Sequence, residues 1–431
     1  MRYNSGVRQA GIYIHIPFCE RKCTYCNFNT TDFFEGLAAR YVVAVKEEVI
    51  WWGRRLEEQQ PVSAGSAANR IKVDTIYFGG GTPSIVEAEQ LASLVEACRG
   101  AFEVSRDAEI TIEINPATLE RSKLEAWLGA GINRASVGVQ SFIDRELVSL
   151  SRTHTAETAR RTVAVLREGG FNNVSLDLIA GLPDQTLEDW ESNLREALEL
   201  RPEHLSLYLL EVKEGTQLFS QIKRGQRPAP DDDLAADMYR SMCEAARGSG
   251  YEHYEISNFA LFSGATDRFR ATAEETSCFG EPQSAKPGKN SGALAEAGLL
   301  RSKHNLKYWT GAPFYGMGCG AHSYDGRARW VNTFKTEHYI EKVALSGHAI
   351  GERHELSADE RAGDALFMGL RLREGIDLAD FRAEYEMDVL KRYAGEFPAL
   401  LSSGLIELNE GRLMLTDAGR LLSNEVFVHF V

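Results

Sequence analysis

Six short runs rich in β-branched and aromatic residues alternate with six amphipathic stretches up to residue 250 of this 431-residue chain. The runs fall at residues 11–16, 73–78, 109–114, 134–139, 173–179 and 204–209, and the helical stretches at 37–58, 87–102, 117–130, 156–168, 187–200 and 231–250. A strand that lies parallel to its predecessor needs a long crossover, normally a helix, so the alternation predicts a parallel sheet covered by helices. Six repeats predict an α/β fold, an open or partial (β/α)6 barrel with a single site. Parallel strands bring their carboxyl ends to one edge, where such sites are built. The residues at those ends are polar or glycine: a cysteine cluster, then Gly79-Gly80-Gly81-Thr82, Glu113, Gln140 and Asp177.

Beyond Glu355 the pattern turns helical and closes on apolar alternation around Asn409-Glu410-Gly411, a hairpin signal. Helices followed by a hairpin predict a small winged-helix-like α+β domain. Residues 355–431 carry 8 Lys+Arg against 15 Asp+Glu, which argues against DNA binding there. The division expected is a core at 1–260, an insertion at 261–301, a connecting segment at 302–350 and the C-terminal domain at 351–431. Residues 59–70 and 263–301 are polar or Ala/Gly/Ser-rich without apolar period, and are expected to be surface excursions with no packed core. A net charge of −14 argues against a general affinity for nucleic acid or anionic lipid. No apolar run approaches the ~20 residues of a membrane span, and residues 1–10 are polar, so the expected location is cytoplasmic, with peripheral membrane contact left open.

Cys19, Cys23 and Cys26 stand as C-x3-C-x2-C directly after the first strand, while Cys98, Cys243, Cys278 and Cys319 are scattered. Scattered free thiols behave as small buried hydrophobes. Three thiolates on one loop can wrap a single soft metal centre. Structural zinc sites want four ligands, and no fourth Cys or His stands nearby at the usual spacing. A cubane 4Fe-4S cluster held by three cysteines keeps one iron open for a further ligand.

This run, with Tyr25 before the third cysteine, resembles the signature of the radical S-adenosylmethionine (SAM) superfamily. Tyr13-Ile-His-Ile-Pro-Phe-Cys19, Gly79-Gly-Gly-Thr-Pro-Ser84, Glu113-Ile-Asn-Pro116, Ser136-Val-Gly-Val-Gln140-Ser-Phe142 and Asp177-Leu-Ile-Ala-Gly-Leu-Pro183 narrow the likeness to the oxygen-independent coproporphyrinogen oxidase branch. The matches span residues 11–259 and resume at His304. That branch holds the oxidase and the HemW group of heme chaperones. Three features resemble the chaperones: Phe28 where the oxidase carries a further cysteine, only 18 residues before the first cluster cysteine, and His304-Asn-Leu-Lys-Tyr-Trp309, similar to the chaperones' H-N-x-x-Y-W motif.

The resemblance implies a 4Fe-4S cluster on Cys19, Cys23 and Cys26, with SAM on its open iron. It implies that Gly80, Gly81 and Thr82 lie against SAM's methionine portion and that Glu113, Gln140, Arg152 and Asp177 contact SAM. Tyr13 and Tyr25 are expected near SAM, with core packing the competing role. His304 is expected as an axial heme ligand, with Tyr308 and Trp309 as apolar porphyrin contacts; His322 and Cys319 are further candidates. Trp51-Trp52 is expected to be packing. The implied function is that of a heme chaperone with heme and an acceptor protein as partners. The alternative is oxidative decarboxylation of coproporphyrinogen III, which Phe28 and the short segment before Cys19 disfavour.

Overall fold

The computed structural model describes residues 9–58, 70–261 and 300–430. Residues 59–69 of the first expected excursion and 263–299 of the second lie outside these residues. Strands β1 (Ala10–Ile16), β2 (Phe18–Cys19), β3 (Thr31–Asp32), β4 (Lys72–Gly80), β5 (Glu103–Ile114), β6 (Arg134–Gln140), β7 (Val174–Ala180) and β8 (His204–Leu209) occupy the first half. Of these, β1, β4, β5, β6, β7 and β8 pair side by side, all parallel, in chain order. This is the winding of a barrel rather than of a doubly wound sheet, in which the order reverses. The fold is the expected α/β partial barrel.

Alternation along each strand separates two faces. Ile12, Ile14, Ile76, Phe78, Ile110, Ile112, Val137, Leu176 and Leu205 are fully buried against the helices. Each buried side chain of this size contributes about 1.5–3 kcal/mol relative to exposure. The helices are α1 (Glu35–Glu58), α2 (Ala88–Ala101), α3 (Ser122–Ala130), α4 (Asp144–Ser149), α5 (Ala156–Glu168), α6 (Leu187–Glu199), α7 (Gln217–Lys223) and α8 (Asp232–Gly248). Helix α3 begins five residues later than its periodicity predicts, because Pro116–Thr118 forms a separate 3-10 turn capped by Asn115.

Two antiparallel extensions flank the parallel run. On one side β9 (Tyr251–Glu255) and β10 (Asn258–Leu261) continue from β8. On the other, β11 (Phe314–Met317) pairs parallel with β1, followed by β12 (His322–Tyr324), β13 (Ala328–Asn332) and β14 (Ile350–Glu355). The stretch expected to be a connecting segment, 302–350, therefore supplies two helices, Lys303–Trp309 and Thr336–Ser346, the three strands β11, β12 and β13, and the first residue of β14. Trp52 of α1 stacks on Trp330 of β13 at 5.1 Å between centroids, so the tandem tryptophans are packing.

A second apolar core gathers Leu366, Leu370, Phe381, Phe397, Leu413, Leu415 and Val426. Within it, β15 (Ile376–Asp377), β16 (Ile406–Asn409) and β17 (Arg412–Leu415) form a small sheet in the order β15-β17-β16. The hairpin turns through Glu410 and Gly411, both at positive φ (49° and 79°), the backbone a tight two-residue turn requires. This module is tied to the barrel's edge by charged contacts. Arg371 reaches Glu255 at 3.2 Å, and Arg301 bridges Glu252 (2.8 Å) and Glu374 (2.6 Å).

Candidate functional site: a cysteine loop above a polar lumen

The cysteine loop is closed at its base. Strands β2 and β3 pair in parallel, Cys19 opposite Asp32, and Phe33 N–H donates to Cys19 O at 3.0 Å. Its far side is pinned too: Thr24 N–H donates to Leu150 O (3.1 Å) and Thr24 O accepts from Leu218 N–H of α7 (2.8 Å). Cys19, Cys23 and Cys26 are half-buried, and Cys23 and Cys26 face Gly215, Gln217 and Ser220 across a cavity of about 360 Å³. Burial pushes the Cys19 and Cys26 thiols up. Thiols in that condition favour a metal centre that takes the proton's place over a free thiolate.

The glycine loop after β4 lies directly under the cysteine loop. Gly81 N–H donates to Ile16 O (2.7 Å) and Thr82 N–H to Phe18 O (2.8 Å), while the Thr82 hydroxyl sits 3.5 Å from Cys19 Sγ. Gly80 has φ +113°, and a Cβ there would run into the His15 ring; one on Gly81 would stand 2.7 Å from Pro17 O. Glycine is required at both positions by the approach of the two loops.

Beneath them, alternate strand residues line a polar lumen. The Glu113 carboxylate accepts from Tyr77 hydroxyl (2.9 Å) and Gly80 N–H (3.0 Å), and burial, reinforced by the charge of Asp177, pushes its pKa up to about 7. Burial likewise raises Asp177, opposed by hydrogen bonds from Ser206 and Ser136. Ser136 Oγ donates to the Asp177 carboxylate at 3.2 Å. Gln140 ends β6 at φ +67°, where the register with β7 slips. Arg152 donates to Gly138 O (2.7 Å) and lies 3.7 Å from Cys23 Sγ. Its Nε is buried with no hydrogen-bond partner among the described residues. Tyr25 packs beside Leu150, Ile179 and Leu182, and Tyr13 hydroxyl pairs with His15 Nδ1 at 3.0 Å.

The structure thus gathers Cys19, Cys23, Cys26, Gly80, Gly81, Thr82, Glu113, Gln140, Arg152 and Asp177 at the strands' carboxyl edge, with Tyr13 deeper in the lumen. His304 lies elsewhere. It plugs the lumen floor, stacked on Tyr77 at 5.1 Å, with Nδ1 bonded to Thr75 Oγ1 (2.9 Å) and Nε2 to Tyr308 hydroxyl (3.0 Å). Burial holds its pKa down to about 3. Both ring nitrogens are committed, so the expected axial ligation would first have to break these bonds in a sealed core, and the geometry favours a structural role. Cys319 is also buried, its Sγ 3.6 Å from Tyr41 hydroxyl and 3.7 Å from Thr336 hydroxyl, with its thiol pushed up by burial. His322 alone of the three is exposed.

Several functional neighbours were missed in the sequence: His15, which holds Asn29 O at 2.8 Å; Tyr77; Ser136; and Asn29, whose amide donates to Cys319 O (3.2 Å) and Phe334 O (2.9 Å). Strand alternation carried the signal for the first three, since they share the lumen face with Tyr13 and Glu113.

Does this donor set suit a cluster? Among the described residues no three His, Cys, Asp or Glu groups converge to hold a single metal ion. A cubane asks for less convergence, because each thiolate binds a different iron. Three half-buried thiols on one pinned loop, with an orphaned guanidinium nitrogen on the neighbouring Arg152, fit an anionic thiolate-bound cluster.

Residues 13–197 match the family model of the radical SAM superfamily, and residues 356–422 match that of the HemN C-terminal domain. The chain is 33% identical to the heme chaperone HemW of Bacillus subtilis over 97% of this chain and 98% of that protein. It is 34% identical to the mitochondrial radical S-adenosyl methionine domain-containing protein 1 of Bos taurus, over 86% of this chain and 75% of that one. The solved structure of coproporphyrinogen III oxidase (HemN) from Escherichia coli superposes with a TM-score of 0.77, covering 98% of this chain and 90% of that one at 24% identity, a likeness of fold. No helix among the described residues is long and apolar enough to cross a membrane. The radical SAM match covers the cysteine and glycine loops, the HemN C-terminal match lies within the C-terminal module, and the chain belongs to the HemW family of the radical SAM superfamily.

Proposed function

We propose that this chain is a heme chaperone that binds heme and passes it to an acceptor protein, while carrying a 4Fe-4S cluster and SAM. One observation carries the reading: the match extends along nearly the whole chain to proteins named heme chaperones, rather than stopping at the barrel. Phe28 in place of the oxidase's further cysteine supports it.

On this reading Cys19, Cys23 and Cys26 hold the cluster, and Gly80, Gly81 and Thr82 give SAM's amino-acid end a close backbone surface. Glu113 and Asp177 receive its positive charges, Arg152 pairs its carboxylate, and Gln140, Tyr13 and Tyr25 complete the walls. When bound, the reduced cluster supplies an electron to SAM, the chemistry common to the superfamily. With its pKa pushed up to about 7, Glu113 is partly protonated at neutral pH, and a cation arriving beside it would favour the carboxylate. Residues 1–260 are assigned to the cofactor-binding core, 302–350 to its connection and sheet extension, and 351–431 to the winged-helix-like module.

The test uses the chain reconstituted anaerobically with iron and sulfide, then given SAM, reductant and either heme or coproporphyrinogen III. Heme retained and then released to an apo-globin, without carbon dioxide from the porphyrinogen, is the expected result. SAM-dependent carbon dioxide release would replace the chaperone reading with the decarboxylase. Failure to bind heme would overturn it outright.

A further inference from the structure

A second cavity opens between the antiparallel edge of the sheet and the C-terminal module. Tyr308, Phe314 and Tyr324 form its barrel-side wall; Ala365, Met368 and Tyr385 face them from the module. The barrel-side rings are contiguous, Tyr308 to Phe314 at 4.7 Å and Phe314 to Tyr324 at 6.2 Å between centroids. Its space is about 220 Å³, below the ~300–1,000 Å³ of pockets that engulf a drug-sized ligand. A porphyrin exceeds this space, so only part of it would be enclosed, with an edge left open.

We propose that this cleft is the heme site, with His322 as axial ligand and Arg329 and Arg361 receiving the propionates; the proposal rests on the chaperone reading above. His322 lines the cleft from β12, and its ring nitrogens make no hydrogen bond to another described residue. By contrast, His15, His204 and His304 commit both ring nitrogens inside the fold. Partial desolvation of the ring in the cleft, aided by the charge of Arg329, lowers the His322 pKa, which keeps the nitrogen lone pair free for iron at neutral pH.

Charge in the cleft is mixed. Arg329 is ion-paired with Asp364, and Arg361 keeps a buried Nε without a hydrogen-bond partner. A propionate can pair with the Arg361 guanidinium, but must compete with Asp364 for Arg329. Such competition weakens the grip, which suits a carrier that must let its cargo go.

The cleft also gives the His304–Trp309 segment a role. Tyr308 is at once a wall of the cleft and the hydrogen-bond partner of His304, and Trp309 lies 4.2 Å under the Arg371 guanidinium that reaches the module. His304 and Trp309 are thus positioning residues that set the wall and the module's docking.

Hemin is titrated into the cluster-loaded chain, and its visible and resonance Raman spectra and its transfer rate to apo-myoglobin are recorded. In His322→Ala the Soret band should shift and heme loss should accelerate by about tenfold or more, the order of one lost strong contact. Added imidazole should restore the wild-type band. Arg329→Gln should speed loss with the band unmoved, a second readout should His322→Ala fold poorly. Wild-type spectra and transfer rates in both variants would overturn the cleft while leaving the chaperone reading standing. A wild-type chain that never holds hemin would remove that reading itself.

Discussion

Replacing His304 by alanine separates a floor histidine from a heme ligand. At about pH 7 the truncation leaves the buried hydroxyl of Thr75 and the half-buried one of Tyr308 without their partner and opens a hole in the lumen floor. Each unsatisfied hydroxyl costs about 1 kcal/mol or more, and with the cavity the loss is about 3 kcal/mol. The pH dependence is the sharper test. Burial, with smaller contributions from Lys307 and Arg134, holds the imidazole's pKa down to about 3, against about 6.5 in an unfolded chain. Below pH ~6.5 the unfolded chain therefore takes up a proton that the folded one refuses, and wild-type stability falls by about 1.36 kcal/mol per pH unit from this residue until about pH 3. His304→Ala lacks that loss.

At about pH 5 the wild type has given up about 2 kcal/mol through His304, so the gap between the proteins should shrink from about 3 to about 1 kcal/mol. Urea unfolding of both chains at the two pH values, followed by tryptophan fluorescence, measures the gap. A gap that does not change with pH would refute the sealed floor. So would a variant as stable as the wild type whose bound heme has a shifted Soret band, the outcome expected of an axial ligand.

The other predictions are simpler. Cys19→Ala, Cys23→Ala and Cys26→Ala should each lose the cluster, read as iron and sulfide per chain, because two thiolates cannot hold the cubane; Cys98→Ala, on the buried face of α2, should keep it. Gly80→Ala should lower cluster retention and SAM affinity together, since its φ of +113° and the His15 ring leave no room for a methyl; wild-type SAM binding would contradict the loop contact. Arg301→Ala should cost about 2 kcal/mol in urea by unpairing Glu252 and Glu374, whereas a Gly/Ser linker replacing residues 263–299 should leave both stability and cluster content unchanged.

The barrel was legible because its signals are local. A strand such as β8, observed at His204–Leu209 as expected, is flanked by its own helices, and α5 runs from a Thr155 cap to Glu168 as its period predicts. The antiparallel extension was not, since β11, β12 and β13 are three to five residues long and are strands only because β1 offers them an edge. The cysteine loop could be read from spacing, but its clamps on Leu150 and Leu218 join residues more than a hundred positions apart. His304 shows what a local motif does not carry. Its ligand-like neighbours, Tyr308 and Trp309, sit within one helix turn, whereas what decides its role, the hydroxyl of Thr75 and the ring of Tyr77, lies 229 and 227 positions away on β4. A histidine becomes a ligand only when a ring nitrogen is left free and reachable. His322, a further candidate in the sequence, meets that condition as the exposed residue of the three-residue strand β12, and His304, inside the recognisable motif, does not.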